Sequence, residues 1–495
     1  MLLEHLQYLD LGLFYLSGKI PCQIGNLKKL QYLSLGSNTP PHRRTMPNYA
    51  SISLSGAFPF RVGNLPFLHT LRLVGNFDIK AKDAHWLSTL RSLTTLELSS
   101  LHSLSSSHHW LPSISKFIPN LTKLRLINCD LLDNDIQSLF LSHSPNFSSS
   151  LNILDLSSNI LTSSTLQLLC NFSLHLQELY LPHNNIALSP SLCQNFPTLK
   201  ILDLSYNNLV SSMFLGNFNI SFKLQELHVV NCIIIDSSFL VSSASTMNSL
   251  SSLLYLDLSD NLLNTCFVFH WLSNFTTNLR TLYLDYNFLE GPIPDEFGKA
   301  MNFLEYLSLS NNKLQGKAQS FFGIMCKLQS LDLSVNKLNG KFPSFIQNSS
   351  RCNIDIIREL NLSYNQISGK IPNSIKMLSE LEILSLEGNS LEGDVTESHI
   401  SNFSKLNYLD LSHNSLSLKF VSGWIPPFQL SYLRLASYKL GPRFPSWLKS
   451  QNSLFLLDLS DNGLNDSVLD SFWTKLRTLY TLNVLTIISL VQFLI

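Results

Sequence analysis

The sequence predicts an α/β solenoid, a stack of short coils whose strands pair in one curved parallel sheet. Three observations carry this expectation. Leucine makes up 101 of the 495 residues. The leucines recur at a fixed period of about two dozen residues. Thirteen copies of the unit close on an asparagine and two on a cysteine.

Aligning Leu151-Asn-Ile-Leu-Asp-Leu-Ser-Ser-Asn159 with Leu199-Lys-Ile-Leu-Asp-Leu-Ser-Tyr-Asn207 exposes the pattern LxxLxLxxN. It returns at Leu328–Asn336, Leu381–Asn389, Leu406–Asn414 and Leu454–Asn462. About 18 copies follow one another, closing at Phe14, Asn38, Asn76, Leu101, Cys129, Asn159, Asn184, Asn207, Cys232, Asn261, Asn287, Asn312, Asn336, Asn365, Asn389, Asn414, Tyr438 and Asn462. Leu154 and Leu156, two apart, fall on one side of a strand, with Asp155 and Ser157 on the other. A single strand cannot bury its leucines, but stacked coils bury them against one another. The closing Asn carries two donors and an acceptor, and is expected to point inward and satisfy buried turn groups. Cys129 and Cys232 substitute as small buried thiols. Phe14, Leu101 and Tyr438 should leave their coils less regular. One solenoid is expected over residues 1–482, with a loop insertion at about 39–53 and a hydrophobic tail over 483–495.

Composition excludes other classes. The 34 Lys+Arg balance 34 Asp+Glu, so the net charge is zero, and nucleic acid is no expected partner because phosphate binding needs a basic face. A hydrophobic share of 45 % excludes disorder.

The returning half of each coil refines the class. Leu16-Ser-Gly-Lys-Ile-Pro21, Leu289-Glu-Gly-Pro-Ile-Pro294, Leu338-Asn-Gly-Lys-Phe-Pro343 and Ile367-Ser-Gly-Lys-Ile-Pro372 share LxGxIP, with Leu440-Gly-Pro-Arg-Phe-Pro445 a near relative. Gly and Pro at these places predict a short extended stretch. This signature resembles the plant-specific class of extracellular leucine-rich repeats. The segments Ala81–Leu87, Leu90–Leu93, His109–Leu111 and Leu124–Cys129 are similar to plant receptor-like proteins, in the group typified by fungal-xylanase and other elicitor receptors. That resemblance implies a binding ectodomain with a signal peptide, a cysteine-paired cap, one membrane span and no kinase of its own. Met1 to Leu6 already lies inside a repeat, as a chain truncated at both ends would show. At the other end, Leu476-Arg-Thr-Leu479 begins a further strand. The uncharged run from Leu479 to Ile495, 17 residues long, reads as a disrupted last repeat or the start of a membrane segment.

No nucleophile elbow, phosphate loop, kinase signature or zinc spacing occurs, and His108-His109 stands alone, so neither enzyme, cofactor nor metal is expected. The concave strand face is the natural binding surface. Tyr180, His183, Tyr206, His228, Tyr283, Asp285 and Tyr286 come from middle coils at strand-exposed positions and are the candidate ligand-binding residues. Asp155, Asp203, Asp257, Asp332, Asp410 and Asp458 recur too regularly for a site and read as a repeat feature. Trp86, Trp110, Trp271 and Trp447 fall in returning segments, where packing is the expectation. Cys170 and Cys193 hold equivalent places on adjacent coils and form the candidate disulfide, with Cys326 and Cys352 a weaker pair. Glycosylation candidates are Asn120, Asn146, Asn171, Asn219, Asn274, Asn348, Asn361, Asn402 and Asn465.

The resemblance implies that the chain is a non-catalytic, glycosylated recognition domain on the extracellular face of the plasma membrane. On the same resemblance it would bind a peptide, protein or microbial elicitor in defence or developmental signalling, beside co-receptor kinases that carry leucine-rich repeats. A secreted repeat inhibitor of microbial enzymes and a non-functional truncated receptor fragment are the alternatives.

Overall fold

The structure is a computed structural model that describes residues 3–12, 22–36, 54–57, 65–78, 86–102, 104–105, 110–141, 145–171, 175–187, 196–209, 221, 223–239, 252–275, 278–317, 325–342, 346, 354–438, 440–441, 444–464 and 479–483. Two compact units divide at Leu253 and Leu254.

In the first unit, strands Tyr8–Leu11, Tyr32–Leu35, Thr70–Asp78, Thr95–Ser99, Lys123–Ile127, Ile153–Asp155, Glu178–Tyr180, Ile201–Asp203 and Glu226–His228 pair in chain order, all parallel. In the second, the same holds from Tyr255–Asp257 through Thr281–Tyr283, Tyr306–Ser308, Ser330–Asp332, Glu359–Asn361, Ile383–Ser385, Tyr408–Asp410, Tyr432–Arg434 and Leu456–Asp458 to Thr481–Asn483. The register puts leucine opposite leucine throughout, as in Leu71, Leu96, Leu124 and Leu154, and these side chains are completely buried. The final strand differs from its expected place. Leu482 joins the leucine column opposite Leu457, so this copy is read from Leu479 and not from Leu476. Residues 484–495 and the whole insertion at 39–53 lie outside the described residues.

The returning segments take two forms. Among the described residues, the first unit carries helices at Trp110–Phe117, Asp133–Leu141, Pro145–Ser150 and Ser163–Asn171. The LxGxIP segments of the second unit are extended, as expected. With the corresponding stretches of neighbouring coils they pair into a second parallel sheet of six strands, Glu290–Gly291, Lys313–Lys317, Lys337–Lys341, Gln366–Gly369, Ser390–Val395 and Ser415–Leu418. Gly316 and Gly340 each have φ of +88°, a backbone region costly for any residue with a Cβ. Leu54-Ser-Gly-Ala-Phe-Pro59 carries the same signature, and Leu54–Ala57 is indeed a strand, paired with Gly75–Asp78. The insertion before it hides it from spacing. The four tryptophans Trp86, Trp110, Trp271 and Trp447 are buried, with the rings of Trp86 and Trp110 5.9 Å apart.

The asparagine ladder is the main polar feature of the core. Asn312 Nδ2 donates to the carbonyls of Leu309 and Ser310 in its own turn, at 3.1 Å each, and to Leu284 of the preceding coil at 2.9 Å. Its Oδ1 accepts the N–H of Leu289, also in the preceding coil, at 3.0 Å. Asn159, Asn184, Asn207, Asn287, Asn336, Asn365, Asn389 and Asn414 repeat this arrangement. Each of these asparagines thereby matches buried backbone groups of two coils with its own donors and acceptor.

Cysteine fills the same place by a different route. Cys232 Sγ donates to the carbonyl of Leu204 in the coil before, at 3.1 Å, and burial pushes the thiol up to about 12, so it stays a protonated donor. The missing acceptor is replaced by the Cys232 backbone carbonyl, which takes the Leu209 N–H at 3.0 Å. An extra left-handed residue follows each ladder cysteine, Asp130 at φ 55° and Ile233 at φ 60°. At Tyr438 the ladder breaks. The phenol is buried without a hydrogen-bond partner among the described residues, and so is Oδ1 of Asn462 in the next coil. The Leu440 N–H turns instead to the Tyr438 carbonyl, at 3.0 Å.

Candidate ligand-binding face

Two features of the coil place the candidate residues. The first is the short strand, whose first and third residues face away from the leucine core. The second is the tight turn that follows, where the residue just before the ladder position adopts a left-handed backbone. His183, Tyr206 and Tyr286 hold that turn position, at φ 54°, 58° and 53°. Tyr180, His228 and Tyr283 are the outward last residues of their strands, and Asp285 lies between strand and turn. The expectation of seven strand-exposed residues is therefore corrected. Three are on strands and four follow them, because LxxLxLxxN fixes the order of residues but not where the strand stops.

In the first unit, the His183 and Tyr206 rings stack at 4.2 Å with an interplanar angle of 12°. Tyr180 donates to Glu178 Oε2 at 3.0 Å, and burial followed by this carboxylate holds its phenol well above the usual range. His228 Nε2 lies 3.7 Å from Glu226 Oε2. In the second unit, Tyr283 packs on Tyr255 with centroids 5.8 Å apart. Asp285 accepts the Ser310 N–H at 2.8 Å and the Ser308 hydroxyl, and burial raises its carboxyl. Tyr286 is 61 % exposed.

Register adds groups that residue types alone conceal. Arg72, Glu97, Arg125 and Asp155 form one file across four coils of the first unit. Arg72 Nε meets Glu97 Oε1 at 2.7 Å, and Arg125 lies 3.6 Å from both Glu97 and Asp155. In the second unit, Asp410 is fully buried beneath Arg434, at 3.9 Å, and accepts the Ser412 N–H at 3.0 Å. Burial pushes its carboxyl up to about 6, with the Glu387 carboxylate adding to the rise and Ser412 and Arg434 opposing it. Glu387 accepts from the Tyr364 phenol at 2.6 Å, and His413 Nε2 stands 4.0 Å from it. These files become visible only when coils are superposed residue by residue.

The recurring aspartates prove to be turn-forming groups. Oδ1 of Asp155, Asp203, Asp257, Asp332, Asp410 and Asp458 accepts the N–H two residues on, at 2.8 to 3.1 Å. Asn361 does the same with Ser363, at 3.2 Å, and its Nδ2 donates to Asp332 at 2.9 Å. Asn120, Asn171, Asn274 and Asn402 are exposed. The side chain of Asn146 and all of Asn219, Asn348 and Asn465 lie outside the described residues. Cys170 and Cys326 are each disulfide-bonded, while Cys193 and Cys352 lie outside the described residues. Among the described residues, no group of three or more His, Cys, Asp or Glu could hold a metal, and no helix is long and apolar enough to cross a membrane.

Family comparisons agree with this architecture. The family described as leucine rich repeat matches residues 277–338 and again 357–378. Receptor-like protein EIX1 of Solanum lycopersicum is 34 % identical over 478 residues, which is 94 % of this chain and 42 % of that protein. The chain belongs to the plant leucine-rich repeat receptor-like proteins. Receptor-like protein EIX2 of the same species is 49 % identical over 85 residues, 17 % of this receptor-like chain and 8 % of EIX2. This chain thus spans less than half the length of the relatives it matches. Among solved structures, the ectodomain of the Arabidopsis thaliana receptor kinase GASSHO1/SCHENGEN3, in complex with CASPARIAN STRIP INTEGRITY FACTOR 2, shares the fold with a TM-score of 0.59. Identity is 24 %, over 97 % of the receptor-like chain and 58 % of that one. The Arabidopsis HAESA ectodomain, in complex with an N-terminally extended IDA peptide hormone, has a TM-score of 0.53 at 25 % identity, covering 94 % and 76 %.

Proposed function

We propose that this chain is the extracellular, non-catalytic recognition part of a receptor-like protein at the plasma membrane. It captures a peptide, protein or microbial elicitor in defence or developmental signalling and works with co-receptor kinases that carry leucine-rich repeats. One observation carries the reading: rings from neighbouring coils pack together outside the leucine core, His183 on Tyr206 in the turns of the first unit and Tyr283 on Tyr255 on the strands of the second. Such rings are favoured interface anchors because they bring large contact area with little rotamer entropy. Support also comes from EIX1, a receptor-like protein matched along nearly this whole chain, and from HAESA, whose ectodomain was solved with a peptide hormone. The exposed candidates Asn120, Asn171, Asn274 and Asn402 suit a glycoprotein, and a Cys170–Cys193 bridge suits an oxidising compartment.

The test immobilises the full chain and offers fungal xylanase and a panel of synthetic secreted peptides. The wild type should retain at least one of them. Tyr206→Ala and Tyr283→Ala, singly and together, should weaken that binding by about tenfold or more, about 1.4 kcal/mol, with an unchanged melting midpoint. No retained probe, or unchanged affinity in the folded double variant, sinks the assignment.

A further inference from the structure

The second sheet of the second unit presents an ordered file of lysines. On the strand Lys313–Lys317, the outward positions are Lys313, Gln315 and Lys317, and on Lys337–Lys341 they are Lys337, Asn339 and Lys341. Lys370 follows directly on Gln366–Gly369, and all five lysines are exposed. Among the described residues, Lys317, Lys337 and Lys341 have no carboxylate within ion-pair distance, whereas Lys419 is held by Asp394 at 2.8 Å. Open cationic charge is thus concentrated on neighbouring strands of a chain whose total charge is zero.

Glycine fixes how these side chains lie. A Cβ on Gly340 would stand 3.1 Å from Cγ of Lys317, one on Gly369 3.8 Å from Cγ of Lys341, and one on Gly393 3.1 Å from Cγ of Lys370. Each lysine stem therefore runs across the bare glycine of the next coil, with the ammonium groups of Lys317 and Lys341 unpaired with any described carboxylate and that of Lys370 close enough to Asp394 to help hold its carboxyl low. Resting on backbone, the stem loses less rotamer freedom when a partner arrives. Pairing sets Lys317 opposite Asn339 and Lys341 opposite Ser368, so each lysine steps two residues along the strand relative to the one before. With strands about 4.8 Å apart and a rise of about 3.3 Å per residue, neighbouring lysine Cα atoms lie roughly 8 Å apart on a diagonal. Between them stand the amide of Asn339, the amide of Gln315, whose Nε2 donates to Glu290 Oε1 at 3.2 Å, and the hydroxyl of Ser368, which donates to the Gly340 carbonyl at 3.1 Å.

We propose that this lysine file docks an acidic polysaccharide, a linear chain with one carboxylate on each sugar. Charge complementarity and repeat geometry select it. A polymer with a carboxylate on every unit can satisfy a diagonal file of ammonium groups in many registers, and its hydroxyls suit the intervening amides. A peptide would anchor through buried apolar side chains, and no large apolar side chain faces outward on these three strands. The choice of a polysaccharide rests on the extracellular placement proposed above; the lysine geometry does not. Each contact is exposed, so binding should be weak per site, additive along the polymer and strongly screened by salt.

The experiment measures binding of the full chain to polygalacturonate, neutral dextran, polyglutamate and a single-stranded oligonucleotide of matched charge. Polygalacturonate should bind at least about tenfold better than the other three, and the affinity should fall steeply as ionic strength rises from about 0.1 M to about 1 M. The variant Lys317→Gln, Lys337→Gln, Lys341→Gln should lose about tenfold or more, while Lys419→Gln, whose lysine is already paired, keeps wild-type binding. These exposed changes leave the fold intact, as far-UV circular dichroism would verify. Unchanged binding in the triple variant, or equal binding of polyglutamate or the oligonucleotide, overturns the proposal. The Tyr206→Ala, Tyr283→Ala chain should bind polygalacturonate normally, so failure of the ligand-capture reading and failure of this one are separable.

Discussion

Oδ1 of Asn312 accepts the backbone N–H of Leu289, a residue of the preceding coil, at 3.0 Å. The same asparagine donates to three carbonyls, so one side chain settles four buried groups of two coils. Asn312→Ala should therefore cost about 3 kcal/mol, the penalty of orphaned buried groups. In urea unfolding the midpoint should fall clearly, while Asn339→Ala on the exposed second sheet should change the unfolding free energy by less than about 0.5 kcal/mol. Equal effects of the two would deny the ladder its role.

Asp410 gives the fold a pH dependence of definite sign. Its folded-state value of about 6 lies above the ordinary 3.8 of an aspartate, with burial as the main cause. The folded chain thus holds a proton that the unfolded chain releases, so stability should fall as pH rises from about 4 through 6 and recover on acidification. Asp410→Asn keeps the acceptor for Ser412, as Asn361 already does for Ser363. It should stabilise the chain at pH 7 by on the order of 1–2 kcal/mol, read as a higher melting midpoint, and flatten the slope between about 4 and 6. A variant less stable than wild type at pH 7 would contradict this.

Ile233 is β-branched, 39 % exposed and held at φ 60°. Such a side chain in the left-handed region is strained by about 1–2 kcal/mol. Ile233→Gly should therefore raise thermal stability by about 1 kcal/mol, net of the greater freedom glycine gains on unfolding. No gain would mean that the Cys232 turn relaxes in solution.

Glycan occupancy should follow side-chain engagement. Asn361 Nδ2 is committed to Asp332 and its Oδ1 to Ser363, whereas Asn120, Asn171, Asn274 and Asn402 are exposed. Peptide mapping of chain produced in a secretory host should find sugar on one or more of these four and none on Asn361. Full occupancy of Asn361 would show that its strand turn is remade or bypassed before modification.

The parts of this architecture that repeat were legible from residue types. The ladder, the Asp155-type turn and the extended LxGxIP segments each recur often enough for spacing to reveal their chemistry. What does not repeat escaped. His183, Tyr206 and Tyr286 were expected on strands, yet the left-handed turn position accepts Ser, Asn, Asp, His, Tyr and Val alike, so residue type gives no sign of it. Arg72, Glu97, Arg125 and Asp155 are 25 to 30 residues apart in sequence and meet only through register. The strand Leu54–Ala57 was displaced by the insertion before it.

Because each closing asparagine reaches back to the coil before it, the stack has a polarity of dependence. A coil lends its side chain to its N-terminal neighbour and borrows from its C-terminal one. Stripping away the C-terminal neighbour leaves a buried backbone amide such as that of Leu289 without its side-chain acceptor. Stripping away the N-terminal neighbour frees only part of an asparagine side chain, which water can reach. Fraying should therefore travel more readily from the C-terminal side of a run of coils than from its N-terminal side.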